Sequence, residues 1–184
     1  MTLEVEKAFH TLDKLIEKYM TANNETYLDS LAVLLHAVHI GEAPNNTNEE
    51  LFNNLSVQLN QENADSESIR KVIQLALIKG MKGSTQHQHV ITPDSVAMFV
   101  GYFIQKLMKD KESFTVFDPA NGAANLLTTI MNQVKVDIQG YGSEIDSTLL
   151  QIAVGSANLQ KLNIEFFHQD SLQKLLLDPV DVVV

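Results

Sequence analysis

Three carboxylates recur at equal intervals in the second half of the chain. Asp118, Glu144 and Asp170 are 26 residues apart, and each closes a short run of apolar or β-branched residues. An ionised carboxylate only accepts hydrogen bonds, so a cluster of them needs donors. Ribose hydroxyls, an α-amino group and an exocyclic amine are such donors. In open parallel sheets the ligand crevice lies outside the carboxyl ends of the strands. Any one of these acids could equally cap a following helix or turn. Three at matched spacing, with a glycine turn after the first, point instead to a nucleoside-type ligand. That turn, Asp118-Pro119-Ala120-Asn121-Gly122-Ala123-Ala124-Asn125-Leu126, is built from small residues. They permit close approach of a ligand to the backbone, and the helix that follows offers free N–H groups. The turn matches neither G-x-G-x-x-G nor G-x-x-x-x-G-K-[ST], so an ATPase-type phosphate loop is excluded there.

The elements that must hold these acids alternate in period. Residues 114–117, 136–144, 164–167 and 180–184 read as strands, and 126–133 and 146–159 as helices, with a short helix or turn over 172–177. Strands alternating with helices imply an α/β fold with a parallel sheet and crossover helices. The first half is helical throughout. Phe9, Leu12, Leu15, Ile16 and Tyr19 form one helical face, a second segment runs from Tyr27 to Ile40 and stops at Gly41, and Thr47 with Glu50 offers a capping box before a third. Residues 62–67 read as a loop, a fourth helix covers about 67–79, and 83–89 reads as a polar linker. Thr92, Pro93 and Asp94 then open a fifth helix, with Thr92 as cap, Pro93 in the first turn and Val96, Phe99, Val100, Phe103 and Leu107 as the buried stripe. The expected organisation is a small helical domain over 1–84 followed by the α/β unit over 85–184.

Charge narrows the function. The chain has 13 Lys+Arg against 23 Asp+Glu, net −10, and neither half is basic. Arg70 is its lone arginine, which leaves it poorly equipped for bidentate phosphate or guanine contacts. The absence of Cys excludes disulfides, Cys-ligated zinc, iron–sulfur clusters and a thiol nucleophile. No apolar run approaches the ~18 residues of a membrane span, and the acidic start is not a secretory signal, so a cytoplasmic location is expected. His87 and His89 read as linker rather than metal ligands, His36 and His39 as packed or half-exposed on an apolar helix, and Asp13, Glu17 and Lys18 as a solvated face. Ser143 and Ser156 lie in no nucleophile-elbow sequence.

The segment from Asp118 to Leu127 resembles the cofactor motif of class I S-adenosylmethionine-dependent methyltransferases. It is most similar to that of the adenine-specific DNA amino-methyltransferases, whose pattern runs Asp-Pro-x-x-Gly-x-Gly. Residues 89–97, around Thr92-Pro93, resemble the motif preceding their first strand. Glu144-Ile145-Asp146 and His168-Gln169-Asp170-Ser171 resemble the acidic motifs after the second and third strands. Asn125-Leu126-Leu127-Thr128-Thr129 and the helical leader look like a subgroup from Firmicutes. The motifs cover about residues 85–184, and the leader matches in character alone. The resemblance implies a Rossmann-like sheet with a cofactor crevice. Glu144 would accept from the ribose hydroxyls, and Asp170, with Ser171, from the adenine amine. The turn through Asp118, Pro119, Ala120, Gly122, Ala124 and Asn125 would hold the methionine part, Thr92 and Pro93 would close over it, and Ile145 would pack on the adenine face.

Two departures stand out. Ala124 occupies the position of the family's second glycine, where a methyl would crowd the cofactor if the site needs positive φ or close approach. Asn121 stands where small residues or Cys are common. The family's catalytic Asn/Asp/Ser-Pro-Pro-aromatic segment, which follows the fourth strand, has no counterpart in 1–184. The expectation is therefore the N-terminal part of a longer enzyme, holding cofactor without the catalytic motif and without metal. Any DNA would then be held by regions beyond residue 184. The rival readings are a non-catalytic cofactor-binding protein that keeps the fold, and a methyltransferase for RNA, protein or a small molecule.

Overall fold

The computed structural model describes residues 3–60, 64–83, 91–174 and 177–184. Five helices come first: α1 (Val5–Asn23), α2 (Tyr27–Ile40), α3 (Glu49–Leu59), α4 (Ser66–Gly83) and α5 (Asp94–Leu107). The chain then alternates through β1 (Ser113–Asp118), α6 (Asn125–Gln133), β2 (Asp137–Glu144), α7 (Ser147–Gln160), β3 (Ile164–His168) and β4 (Val182–Val183). The interior of the 83–89 linker, His87 and His89 included, and residues 61–63 lie outside the described residues.

Local chemistry explains the helix ends. Asn24, at φ 55, closes α1 in the left-handed conformation, and Gly41, at φ 79, closes α2 in the same way. Thr26 caps α2 by accepting from the Asp29 amide. The Thr47–Glu50 capping box does not form. Asn48 is the cap of α3, its side chain accepting from the Leu51 amide at 3.0 Å, and the buried Thr47 hydroxyl has no partner among the described residues. Asn is as good a cap as Ser or Asp, so the choice shifts by one residue at no cost to the helix. Asp13 and Glu17 are also more than a solvated face. Lys79 of α4 reaches both, at 2.7 and 2.6 Å, and the Tyr27 hydroxyl donates to Asp13.

The four leading helices share one core with the α/β unit. Leu12, Leu15, Leu31, Leu35, Phe52, Leu55 and Ile73 pack with Ile152 and Leu159 of α7. Gly155 of α7 makes this contact close: a Cβ there would stand 2.8 Å from the Leu35 Cβ. Thr148 of α7 also donates to Asp29 of α2 at 2.7 Å.

The sheet is parallel, in the order β3-β2-β1-β4. Alternation sends Phe114 and Val116 of β1 and Ile138 of β2 into a second core with Ile104, Leu127 and Ile130 of α5 and α6. β4 is shorter than its apolar run, pairing only at Val182 and Val183. Asp181 holds it beside β1, pairing with Lys111 and accepting from the Thr115 amide at 2.9 Å. The described residues of the 172–177 stretch are turn and coil, not helix.

The α5 stripe departs from its sequence reading everywhere but at Val100, which is half-buried against the second core. Ala97, Gly101 and Ile104 face inward, whereas Val96, Phe99, Phe103 and Leu107 are exposed, Phe99 by 62% and Leu107 by 74%. This small face is the one packed on α6, and a Cβ on Gly101 would stand 2.6 Å from the end of the flexible Gln133 side chain. The start of α5 differs too: Pro93, not Thr92, takes the cap position, and Asp94 begins the helix.

Candidate functional site

The sheet register turns equal spacing along the chain into a steady stagger at its carboxyl edge. Asp118 pairs in register with Gly142, and Glu144 with His168. Each acid therefore stands two residues further along its strand than the one before, roughly 7 Å at the rise of a parallel strand. Asp170 lies two residues past the end of β3. The three acids thus share one edge of the sheet, stepped across three adjacent strands.

Asp118 is buried, 5% exposed, and accepts from the Ala120 amide at 3.0 Å. Burial, with Glu144 nearby adding to it, pushes its carboxyl up to about 6. Glu144 is half-buried and collects three backbone donors, from Gly122, Ile145 and Asp146, each at 2.8 Å. The Gly122 contact ties the glycine turn of β1 to the end of β2. A second tie is the Asn121 amide, which donates to the Ser143 carbonyl at 2.9 Å. Among the described residues the buried Asn121 Oδ1 has no hydrogen-bond partner.

The glycine turn contains two left-handed residues. Gly122 is at φ 55 with open space where a side chain would stand. Ala124 is at φ 65, the conformation that makes a non-glycine residue costly there. Its methyl does not enter the crevice, however, because Ala124 is fully buried. The left-handed alanine therefore costs backbone energy, and its methyl is not exposed on the open side of the turn. Pro119 is half-buried and Ala120 exposed on the outer side of the turn.

Asp170 accepts from the Leu172 amide at 3.0 Å, and Ser171 is half-buried beside it. The loop carrying them is fixed from below by Ser143, fully buried, whose hydroxyl donates to the Gln169 carbonyl at 2.8 Å. Ile145 is 68% exposed at the rim, and His168 donates from Nε2 to its carbonyl at 2.9 Å. Thr92 reaches the turn through its backbone: its carbonyl accepts from the Asn125 side chain at 2.7 Å, while Pro93 is exposed.

Sequence reasoning missed Arg70 and Asp94. Arg70 is 3% exposed and binds Asp94 and Asn125 as well as Glu67. The signal was available. Arg70 stands three residues before Ile73 and seven before Leu77, so a lone charge falls on the apolar stripe of its helix. Ser143 could be found only through register. Among the described residues no group of three His, Cys, Asp or Glu is placed to hold a metal, and no helix is long and apolar enough to cross a membrane.

Comparison with known proteins fixes the fold. No family model matches the chain. A solved structure from Listeria monocytogenes, provisionally assigned to the class I S-adenosylmethionine-dependent methyltransferases, superposes with a TM-score of 0.85 at 34% identity. The match covers 97% of this chain and 57% of that one. The chain carries a methyltransferase fold. The methyltransferase subunit of a type I restriction-modification system from Streptococcus thermophilus has the same fold, with a TM-score of 0.62 at 15% identity over 94% of this chain and 42% of that one. The protein YtxK of Bacillus subtilis is 46% identical over 121 residues, 65% of this chain and 37% of YtxK. The chain thus spans from about a third to a little over half of the length of the proteins it matches. Within the methyltransferase fold, the acids of β1, β2 and the loop after β3 line the carboxyl edge of the sheet.

Proposed function

We propose that this chain is the cofactor-holding part of an S-adenosylmethionine-dependent methyltransferase, of the type that methylates the amino group of adenine in DNA. The observation that carries the reading is the join between the glycine turn and Glu144, which brings the first two acids and the open side of Gly122 to one place. The chemistry of the donor set fits that cofactor. Asp118 is a buried carboxylate whose surroundings add a second negative charge, so a cationic α-amino group beside it relieves an existing cost. Glu144 is oriented by three backbone N–H groups and offers its remaining acceptor capacity to ribose hydroxyls. Asp170 would take the adenine amine, with Ser171 alongside. Exposed Ile145 supplies an apolar surface for the ring. Thr92 and Pro93 lie across the methionine end.

Held by Asp118, Glu144 and Asp170, the cofactor would supply an electrophilic methyl on a sulfonium. The residues of this chain bind and align; the binding energy they contribute goes into orientation. The choice of DNA adenine as acceptor rests on the Asp118-Pro119 turn and its likeness to that group.

Calorimetry of the full-length protein with S-adenosylhomocysteine tests the site. Binding is expected, and Glu144→Ala should weaken it by about 1–3 kcal/mol, the scale of lost charge-assisted hydrogen bonds. Equal affinity in the mutant refutes the ribose assignment. The acceptor is tested by transfer of labelled methyl to duplex DNA followed by nucleoside analysis. Label on adenine supports the reading, and label on RNA or protein instead overturns it.

A further inference from the structure

We infer that Arg70 of α4 is a positioning residue for the methionine end of the site, acting through Asp94 and Asn125. The inference rests on the S-adenosylmethionine reading of the crevice. All five N–H donors of the guanidinium are engaged. Nε and Nη2 donate to Glu67 at 2.7 and 2.8 Å, Nη1 and Nη2 to the two oxygens of Asp94 at 3.0 Å each, and Nη1 to the Asn125 Oδ1 at 3.0 Å. Burial works against the charge, yet Glu67 and Asp94 hold the guanidinium strongly protonated. Asp94 is likewise held ionised, burial being outweighed by Arg70 and Gln74.

The consequence is geometric. Arg70 can only donate, so it fixes which end of the Asn125 amide faces it. The oxygen must point to Arg70, and the nitrogen is thereby aimed at the Thr92 carbonyl, which it meets at 2.7 Å. One side chain of the helical leader thus engages the first residue of α5 and the first residue of α6, where the glycine turn ends, and through Asn125 reaches the Thr92 carbonyl. The adenosine end has further fixings outside the glycine turn, Glu144 on the Ile145 and Asp146 amides and the Asp170 loop on Ser143, and Arg70 touches neither. A lysine has three donors on a point charge and cannot reproduce the fork.

The test compares S-adenosylhomocysteine with adenosine, which keeps the ribose and base but lacks the amino-acid tail. Full-length wild-type protein, Arg70→Lys and Asp94→Asn are titrated with each ligand, by calorimetry and at millimolar adenosine by ligand-observed NMR. Thermal melts confirm that each variant is folded, and Asp94→Asn carries the test if Arg70→Lys does not fold. The expected result is S-adenosylhomocysteine binding weakened about tenfold, on the scale of hydrogen bonds to charged groups, with adenosine binding within about twofold of wild type. Parallel losses for both ligands reduce Arg70 to a structural ion pair and overturn the inference, as does unchanged binding of both. Failure of the wild type to bind S-adenosylhomocysteine overturns the reading of the crevice itself, which distinguishes the two failures.

Discussion

Asp118 is buried near Glu144, a group of the same charge. Its carboxyl, ordinarily near 3.8, is pushed up to about 6 by burial first and then by Glu144. The sign of the effect follows. Between pH ~4 and ~6 the folded chain keeps a proton that the unfolded chain releases, so this group makes stability fall as pH rises through that window. The full effect is at most about 3 kcal/mol. Urea melts of wild type and Asp118→Asn at pH 4 and pH 7 should show the difference between them change in that direction, with the mutant lacking this contribution to the slope. A cationic ligand group beside Asp118 pulls its pKa back down. Binding of S-adenosylhomocysteine should therefore tighten as pH rises through about 6, and in Asp118→Asn that dependence should flatten. The acids themselves were legible, because strand-end carboxylates at constant spacing leave a mark in the sequence. The conformation of Ala124 was legible only as a question. A methyl in a left-handed position can point into a crevice or into the core, and only packing decides; here the residue is fully buried.

At the scale of elements, the alternation of strands and helices was readable because each pattern has its own period. Exact caps and inward faces were not. Thr47 and Asn48 are both good caps one residue apart, and backbone geometry chose Asn48, at φ −84, whose side chain reaches the Leu51 amide. Asn48→Ala should cost about 1 kcal/mol of stability by denaturant titration. Thr47→Val should cost nothing comparable, since the Thr47 hydroxyl has no partner to lose among the described residues. Helix α5 misled for a different reason. Hydrophobic periodicity finds the bulky face, and close packing on α6 buries the small one. Replacing Ile104, 4% exposed, by Ala should cost about 2–5 kcal/mol, the range for a buried aliphatic truncation. Phe99→Ser should change stability by about 0.5 kcal/mol or less, as for an exposed position, although the two residues lie on one helix. Comparable losses at both sites would restore the stripe read from sequence.

Across the whole molecule, the order of a helical leader and a parallel sheet could be read, but not how one meets the other. That contact is nonlocal: α2 meets α7 across more than a hundred residues of sequence and α4 meets it across more than sixty, and no spacing rule links their faces. It joins Leu35 to Gly155 at backbone-limited distance, and polar ties cross the same boundary. Ser66 of α4 donates to Asn132 of α6, whose side chain donates to Gln160 of α7 at 2.9 Å. Arg70 bridges it again at the glycine turn. The lone arginine of a chain of net charge −10 is thus engaged inside the fold and is not displayed to a phosphate backbone. Such continuity predicts one cooperative transition rather than two. Leu35, fully buried between α2 and α7, is the place to test it, since Leu35→Ala opens a cavity in the leader while leaving every residue of the sheet in place. The substitution should lower global stability by about 2–5 kcal/mol. Native-state hydrogen exchange should then show the slowest amides of α1–α4 and those of α7 and β2 losing protection by the same amount, because they open together. Loss confined to the leader, with the amides of β2 and α7 unchanged, would mean that the helices and the sheet unfold as separate units despite their shared core.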